Sequence, residues 1–420
     1  VSPAAKAVAK AKPDELDALF DKAEAKYGSP VGTLDAIGSD AQFISTGNMS
    51  FDLALGGGFP MGRLVELAGP PSCGKTTLAS MAVAILQQII LSGGDPSRGI
   101  KPDDVILYLD FENAVDKQYM RKLGIDTKDR SLRFTQPDFL EDGAALTLAA
   151  IRTGRVRMVV VDSVAAMNPR AVAEAEVGKP LPAIMAKILT PWATTLQNEA
   201  KENNCLVIFI NHQKEVMEMG GGSKPGVKVY NTPGGSALKY FQSQRLSFRQ
   251  GTKNYTDYKD PVLKETERRV TSIDIRMTVE KNKVAPPYRK ALARVRENRG
   301  FDNFWSAMSI LLAHRLVVGE AGGMFYFHRL AEHGLVEDWM TMSAAKAKTE
   351  PRPYIRGLDN VYAMADTHPE WRERVIMFTE GILPDIIKTD EDMDVAAPIE
   401  EADETTTAAL AEFDAIEDGS

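Results

Sequence analysis

Gly69-Pro70-Pro71-Ser72-Cys73-Gly74-Lys75-Thr76 fits the pattern G-x-x-x-x-G-K-[ST], with Thr77 next in line. Each residue type has a use in holding a triphosphate. Glycines let backbone N–H groups wrap phosphate oxygens, and the helix that follows adds the positive end of its dipole. Lys75 reaches the outer phosphates, and the Thr76 hydroxyl is placed to ligate Mg2+. Such a site also needs an acid that holds the metal, and Asp162, closing an apolar run, is placed for it, directly or through water. Hydrolysis further needs a group that orients water. Asp110 and Glu112 both follow another apolar run, and of the two Glu112 is the better base. A solvated acidic turn is the plain alternative for that pair.

These residues need a frame. Leu64–Ala68, Val105–Leu109, Met158–Val161 and Leu206–Ile210 are short, near-continuous apolar runs, the mark of strands buried on both faces. Arg245–Phe248 and Ser272–Val279 read as two further strands, and Thr77–Leu91 as the helix after the loop. Strands alternating with helices predict an α/β fold around a mostly parallel, twisted sheet, whose ligand edge lies at the strand C-termini. Pro13–Tyr27 reads as a helix with Leu16, Leu19, Phe20 and Ala23 on one stripe and Gly28 as its stop. One apolar stripe on a short helix needs a partner surface.

Over 420 residues, 44% hydrophobic and 26% charged content describes an ordinary globular chain with room for more than one unit. Cys73 and Cys205 cannot build a disulfide framework, and no 18-residue apolar span or secretory signal stands out. The expectation is a cytoplasmic protein without membrane contact. Its start at Val1 rather than Met reads as processed or trimmed. The net charge of −8 is uneven: residues 390–420 carry twelve acids and no Lys or Arg, so the rest of the chain stands at +4. That body is only mildly basic, and bulk charge does not identify a nucleic-acid binder. The acidic tail reads as disordered.

Five stretches in order, FISTGNMSFDLALGGGFPMGRLVELAGPPSCGKTT, LDFENAVDKQYMRKLGID, VVVDSVAAMNPRA, NTPGGSALKYF and VEKNKVAPPY, resemble the bacterial RecA recombinases and their UvsX-type phage relatives over roughly residues 40–330. The resemblance implies a RecA-type P-loop ATPase core with an N-terminal helix and a small C-terminal α+β domain. It implies a DNA-stimulated ATPase, using ATP and Mg2+, that forms helical filaments on single-stranded DNA and pairs it with homologous duplex DNA. By the same resemblance Glu112 is the catalytic glutamate, Asp116 and Tyr119 contact adenine, and Lys281 and Lys283 reach the ATP of the neighbouring subunit. The plain alternatives are a packing residue for Tyr119 and a solvated turn for Lys-Asn-Lys. Two DNA-facing loops correspond to about Glu174–Ala186, with Lys179 and the adjoining Lys187, and to about Gln213–Gly235, with Lys214, Lys224, Lys228, Gly234 and Gly235. Without the family, Gly-rich loops of this kind read as mobile connections.

The chain departs from the bacterial pattern. Asn211-His212 replaces an Asn-Gln pair whose glutamine senses the γ-phosphate, and a histidine there makes coupling open to pH. Pro180 and Pro182 make the contacts of the first loop unsafe to transfer, and the polar stretch 251–269 reads as a surface hairpin or loop without assigned role. Arg315, Arg329, Lys346, Lys348, Arg352 and Arg356 are candidates for gathering duplex DNA, or are simply solvated. The expected organisation is an arm and oligomerisation helix over 1–34, a core over 35–299, a C-terminal domain over 300–388 and the tail over 389–420. A ring-forming translocase or helicase, and a nucleotide-switched mediator scaffold, are the competing functions.

Overall fold

The computed structural model describes residues 13–27, 41–173, 181–216, 229–231, 235–259, 266–320, 323–342 and 352–392. The chain divides into Val1–Gln42 and Phe43–Ser420. In the first unit Pro13–Tyr27 is the expected helix, and its Leu16, Leu19 and Phe20 side chains are exposed.

The second unit is built on a nine-stranded sheet. Its strands are β1 (Leu64–Gly69), β2 (Val105–Asp110), β3 (Leu132–Thr135), β4 (Val156–Asp162), β5 (Leu206–His212), β6 (Gln244–Lys259), β7 (Thr266–Asn282), β8 (Lys290–Arg296) and β9 (Gly300–Phe301). They lie in the order β9-β8-β7-β6-β1-β5-β4-β2-β3. β6, β1, β5, β4, β2 and β3 pair in parallel, whereas β6 to β9 form an antiparallel extension.

Period-two alternation divides the apolar side chains of the central strands between two cores. Val65, Leu67, Ile106, Tyr108, Val160 and Ile208 pack under the P-loop helix Lys75–Leu91. Leu107, Val159, Val161, Val207 and Phe209 pack on the opposite face, against the helices Leu140–Ile151 and Leu181–Glu202. Burial on both faces is why these runs are apolar throughout. β3 and β8 have no such run: Leu-Arg-Phe-Thr and Lys-Ala-Leu-Ala-Arg-Val-Arg are half-exposed outer strands, and their sequences do not announce them. β6 and β7 extend well past Phe248 and back before Ser272, so the described part of the polar stretch, 251–259 and 266–269, is a paired ribbon.

A third core belongs to the C-terminal region, where the helices Asn303–Ala313, Leu358–Thr367 and Pro369–Asp392 and a small four-stranded sheet surround Trp371. The helix Met49–Leu55 contributes Met49 to it. Arg352 pairs with Glu320, and Arg329 donates to the Arg315 carbonyl, so these two candidates for duplex binding have protein partners; Lys346 and Lys348 lie outside the described residues. Among the described residues no helix is long and apolar enough to cross a membrane.

Candidate active site

β1 ends at Gly69 and the helix begins at Lys75, so the sequence-predicted P-loop is the turn between them. Gly74 caps that helix at φ +79°, and a Cβ there would lie 2.8 Å from the Phe301 ring. Glycine is required on both counts. The loop closes on its own lysine: Lys75 Nζ donates to the carbonyls of Gly69 (3.0 Å) and Pro70 (2.6 Å), next to the buried Cys73 thiol at 3.6 Å. A triphosphate would replace those carbonyls with anionic oxygens at the helix N-terminus. Burial pushes the Cys73 thiol up, against the opposing pull of Lys75, so it is inert.

β4 brings Asp162 under the first turn of the helix. Thr76 Oγ1 donates to Asp162 Oδ2 at 3.1 Å, and the Tyr108 hydroxyl donates to the same oxygen at 2.9 Å. Burial raises the Asp162 carboxyl to about 6, helped by Glu112 and Asp110 and opposed by the Tyr108 and Thr76 bonds. A dication would reverse that preference. Among the described residues no cluster of three His, Cys, Asp or Glu side chains forms a ready metal site. The donor set therefore suits Mg2+ held by one hydroxyl, one carboxylate, phosphate oxygens and water, and not a metal bound by protein alone.

The structure separates the two acids that follow β2. Asp110 is buried and accepts from Ala114 N, Val115 N and Gln136 Nε2, so it holds the loop. Glu112 stands free of that duty. Its Oε1 accepts from the Ser163 hydroxyl and faces His212 Nε2 at 2.8 Å. Burial would raise its pKa, but the hydrogen bonds from Ser163 and His212, with the charges of His212 and Lys75, hold it below the usual carboxylate range. Both bonds fall on Oε1, which leaves Oε2 for water. Ser163 and Tyr108 were not among the sequence candidates, although Ser163 stands in the Val-Val-Val-Asp-Ser run directly after Asp162.

A cleft of about 250 Å³ opens beside the P-loop helix, lined by Thr76, Ser80, Asp116, Tyr119, Lys122 and Asn298 among others. Asp116 caps the helix Lys117–Lys122 by accepting from Gln118 N and Tyr119 N, which fixes the Tyr119 ring at the cleft. The Tyr119 hydroxyl pairs with Thr77 Oγ1 at 2.8 Å, and Lys122 Nζ donates to Asn298 Oδ1 at 2.9 Å across the outer wall. The Lys122–Asn298 wall is joined only in the fold, 176 residues apart, and had no sequence signal.

Lys281 and Lys283 are not part of this cluster. Arg245 pairs with Glu66 on one side and with Lys281 on the other, while Lys283 N donates to Ser243 O. In register Lys281 is therefore level with Glu66, and Lys283 with the first residues of β1, with β6 between and Gly69 at the other end of β1. Three residue steps along β1 separate Glu66 from Gly69 by roughly 10 Å, and the lysines are two strands further aside. Lys281 Nζ donates to the Lys239 and Tyr240 carbonyls, at the end of the helix Gly235–Phe241. Burial, then the charges of Lys283 and Arg245, lower its pKa.

A family model for the RecA N-terminal domain matches residues 15–302. The Protein RecA of Bordetella petrii is 36% identical over 296 residues, covering 68% of this chain and 73% of that protein. This chain belongs to the RecA family. The RecA protein of Bordetella pertussis is 36% identical over 295 residues, at 68% and 74% coverage. A crystal structure of the RadB recombinase aligns at TM-score 0.41 and 21% identity, over 62% of this chain and 98% of that one. RecA-family membership makes this an ATP-binding, DNA-binding protein of recombination and repair with a RecA-type P-loop core.

The expected DNA loops of this RecA-family chain fall largely outside the described residues: Lys179, Lys224, Lys228 and Gly234 all do. Where they are described, the first is shorter than expected. The long helix begins at Leu181, with Pro182 in its first turn where proline is tolerated, so 181–186 are helical and Lys187 is an exposed helical residue. In the second, Lys214–Val216 pairs antiparallel with Val229–Asn231, and Gly235 opens the helix that ends at Phe241.

Proposed function

We propose that this RecA-family protein is an ATP-dependent DNA recombinase that polymerises on single-stranded DNA, hydrolyses ATP between adjacent subunits and exchanges homologous strands. The observation that carries this reading is the division of the machinery between opposite edges of one sheet. Lys75, Thr76, Asp162 and Glu112 lie at the C-terminal edge, and Lys281 and Lys283 at the other. In one subunit those lysines are out of reach of its own phosphates. A second copy stacked edge to edge delivers them.

In that arrangement Lys75 exchanges its loop carbonyls for phosphate oxygens, Asp116 and Tyr119 receive the base, and Glu112 Oε2 orients the attacking water while Ser163 and His212 hold Oε1. Thr76 and Asp162 would hold magnesium, which would supply neutralisation of phosphate charge. Lys281 leaves the Lys239 and Tyr240 carbonyls and stabilises the transferring phosphoryl group from the neighbour. The helix that Lys281 releases is joined directly to the second DNA loop, so assembly, nucleotide and DNA act on one element. Lys179, Lys187, Lys214, Lys224 and Lys228 contact the DNA backbone, with Gly234 and Gly235 allowing its close approach. His212 completes the γ-phosphate side of the site. The division into arm (1–34), core (35–299), C-terminal domain (300–388) and tail (389–420) is that of a filament subunit acting in the cytoplasm.

The test is ATP hydrolysis with and without single-stranded DNA, across protein concentrations, for the wild type and Lys281→Ala. DNA is expected to stimulate turnover cooperatively, and the substitution to lower it on the order of a hundredfold while nucleotide binding persists. Turnover indifferent to DNA and to concentration would overturn the reading. Displacement of a strand from a fork would point to a ring translocase instead.

A further inference from the structure

Beyond Gln250 and before Thr271, the described residues of β6 and β7 are in ladders only with each other. The pairing of β6 with β1 ends at Ser247↔Ala68, and that of β7 with β8 ends at Ser272↔Arg296. The described ribbon, 251–259 and 266–271, keeps its ladder from Lys253↔Ile273 to Lys259↔Thr266. It extends roughly 25 Å past the sheet. Nearly every described side chain on it is exposed, on both faces. A two-stranded ribbon with two open edges buries almost nothing of its own, and such edges are normally covered.

Its side chains suit an interface. The Arg268 guanidinium lies 4.9 Å from the Tyr255 ring centroid, and that of Arg269 lies 4.0 Å from Tyr258. The two tyrosines are three residues apart, so one arginine-covered ring stands on each face. Tyr255 is 46% and Tyr258 40% exposed. Tyrosine and arginine are the residues that most often carry binding energy between proteins, and stacking holds these in place before any partner arrives. The charges are mixed: Lys253, Lys259, Arg268 and Arg269 alternate with Asp257 and Glu267, and Arg269 is paired with Glu267 at 2.7 Å. A groove that follows a phosphate backbone would carry one sign.

Position identifies the partner. At the base of the ribbon Gln250 Nε2 donates to the Ser72 carbonyl in the P-loop at 2.9 Å. On the other strand Glu297 N donates to Thr271 O, one residue from Asn298 in the wall of the nucleotide cleft. The ribbon thus rises from the sheet edge between the phosphate loop and the base cleft. We infer that it is an assembly arm, which packs against the second copy of this chain whose Lys281 and Lys283 complete the ATP site. This inference rests on the trans-lysine reading of the function: a neighbour presenting its lysine edge to the P-loop must pass alongside the arm.

The experiment uses the full chain with a non-hydrolysable ATP analogue and oligo(dT), following assembly by sedimentation against protein concentration. Two variants are compared with the wild type: one in which an Asn-Gly turn replaces 253–270, and one carrying Tyr255→Ser, Tyr258→Ser, Arg268→Glu and Arg269→Glu. Both should bind the analogue as well as the wild type at concentrations where each is monomeric, which checks folding of the second unit. Their assembly midpoints should rise roughly tenfold or more, with and without DNA. If both midpoints stay within twofold of a wild type that does assemble, the arm has no such role and the recombinase reading stands. A loss confined to DNA affinity, with DNA-free assembly intact, makes the ribbon a nucleic-acid contact and overturns the inference. A wild type that never assembles removes both readings.

Discussion

Glu112 shows how residue-level chemistry is settled by neighbours. Sequence spacing offered two acids after β2, and hydrogen bonding distinguishes them: Asp110 is consumed by Ala114, Val115 and Gln136, and Glu112 keeps an open oxygen. Asp52 is the opposite case, a carboxyl with a structural task only. It accepts from Thr46 N at 2.8 Å and from the Ser45 hydroxyl, and burial pushes it up to about 6 against those bonds. Because the fold holds this proton more tightly than the unfolded chain does, Asp52 weakens the protein as pH rises from about 4 to 6. Asp52→Asn removes the titration while keeping an acceptor for Thr46. Its stability relative to wild type should therefore rise by roughly 2 to 3 kcal/mol between pH 4 and pH 7, read by denaturant unfolding at each pH. A flat difference across that range would show that Asp52 stays ionised in the fold.

At the scale of elements, β2 and β4 have to be aligned for Asp110, Glu112 and Asp162 to converge. Their opposite ends are held by a buried ion pair, Arg157 Nε to Asp104 Oδ2 at 2.7 Å, with further bonds from the guanidinium to the Gly154 and Asn203 carbonyls. Arg157→Met leaves the Asp104 charge buried without its partner. It should cost about 3 to 5 kcal/mol in unfolding free energy, and Arg157→Met combined with Asp104→Leu should recover most of that loss. Denaturant titration of the single and double variants measures both, and an equally unstable double variant would place the cost in packing. Legibility follows the same division. The doubly buried central strands were readable from their apolar runs, whereas β3 and β8 were not and the ribbon was read only as a hairpin or loop, because half-exposed strands carry mixed residues and take their structure from pairing partners.

For the whole molecule, charge is the property most plainly written in the sequence. The twelve acids of 390–420 stand against a remainder of +4. A tail of that charge is expected to oppose binding of duplex DNA to the basic surface, and deletion after Lys388 should then speed loading on duplex DNA, with the gain shrinking as salt is raised. Loading kinetics by fluorescence anisotropy test this, and unchanged loading at low salt would rule it out. The basic side of the balance is less free than its composition suggests, since Arg352 and Arg296 are among the arginines already bound to acids.

By itself the sequence determined the P-loop, the strands that carry it, the place of Asp162 at the end of one of them and, through ordered motifs, the family. These are local patterns: a glycine that must adopt positive φ, a lysine and threonine at fixed offsets, apolar runs long enough to be buried on both faces. Only the tertiary structure decided that Asp110 is taken up by loop hydrogen bonds while Glu112 keeps one oxygen open, that Ser163 and His212 share its other oxygen, and that Lys122 meets Asn298 across the cleft. It also placed Lys281 and the P-loop towards opposite ends of the sheet's strands and left the β6–β7 ribbon rising beside the P-loop. Each of these depends on which strands are neighbours and in what register, and no residue's own identity encodes that.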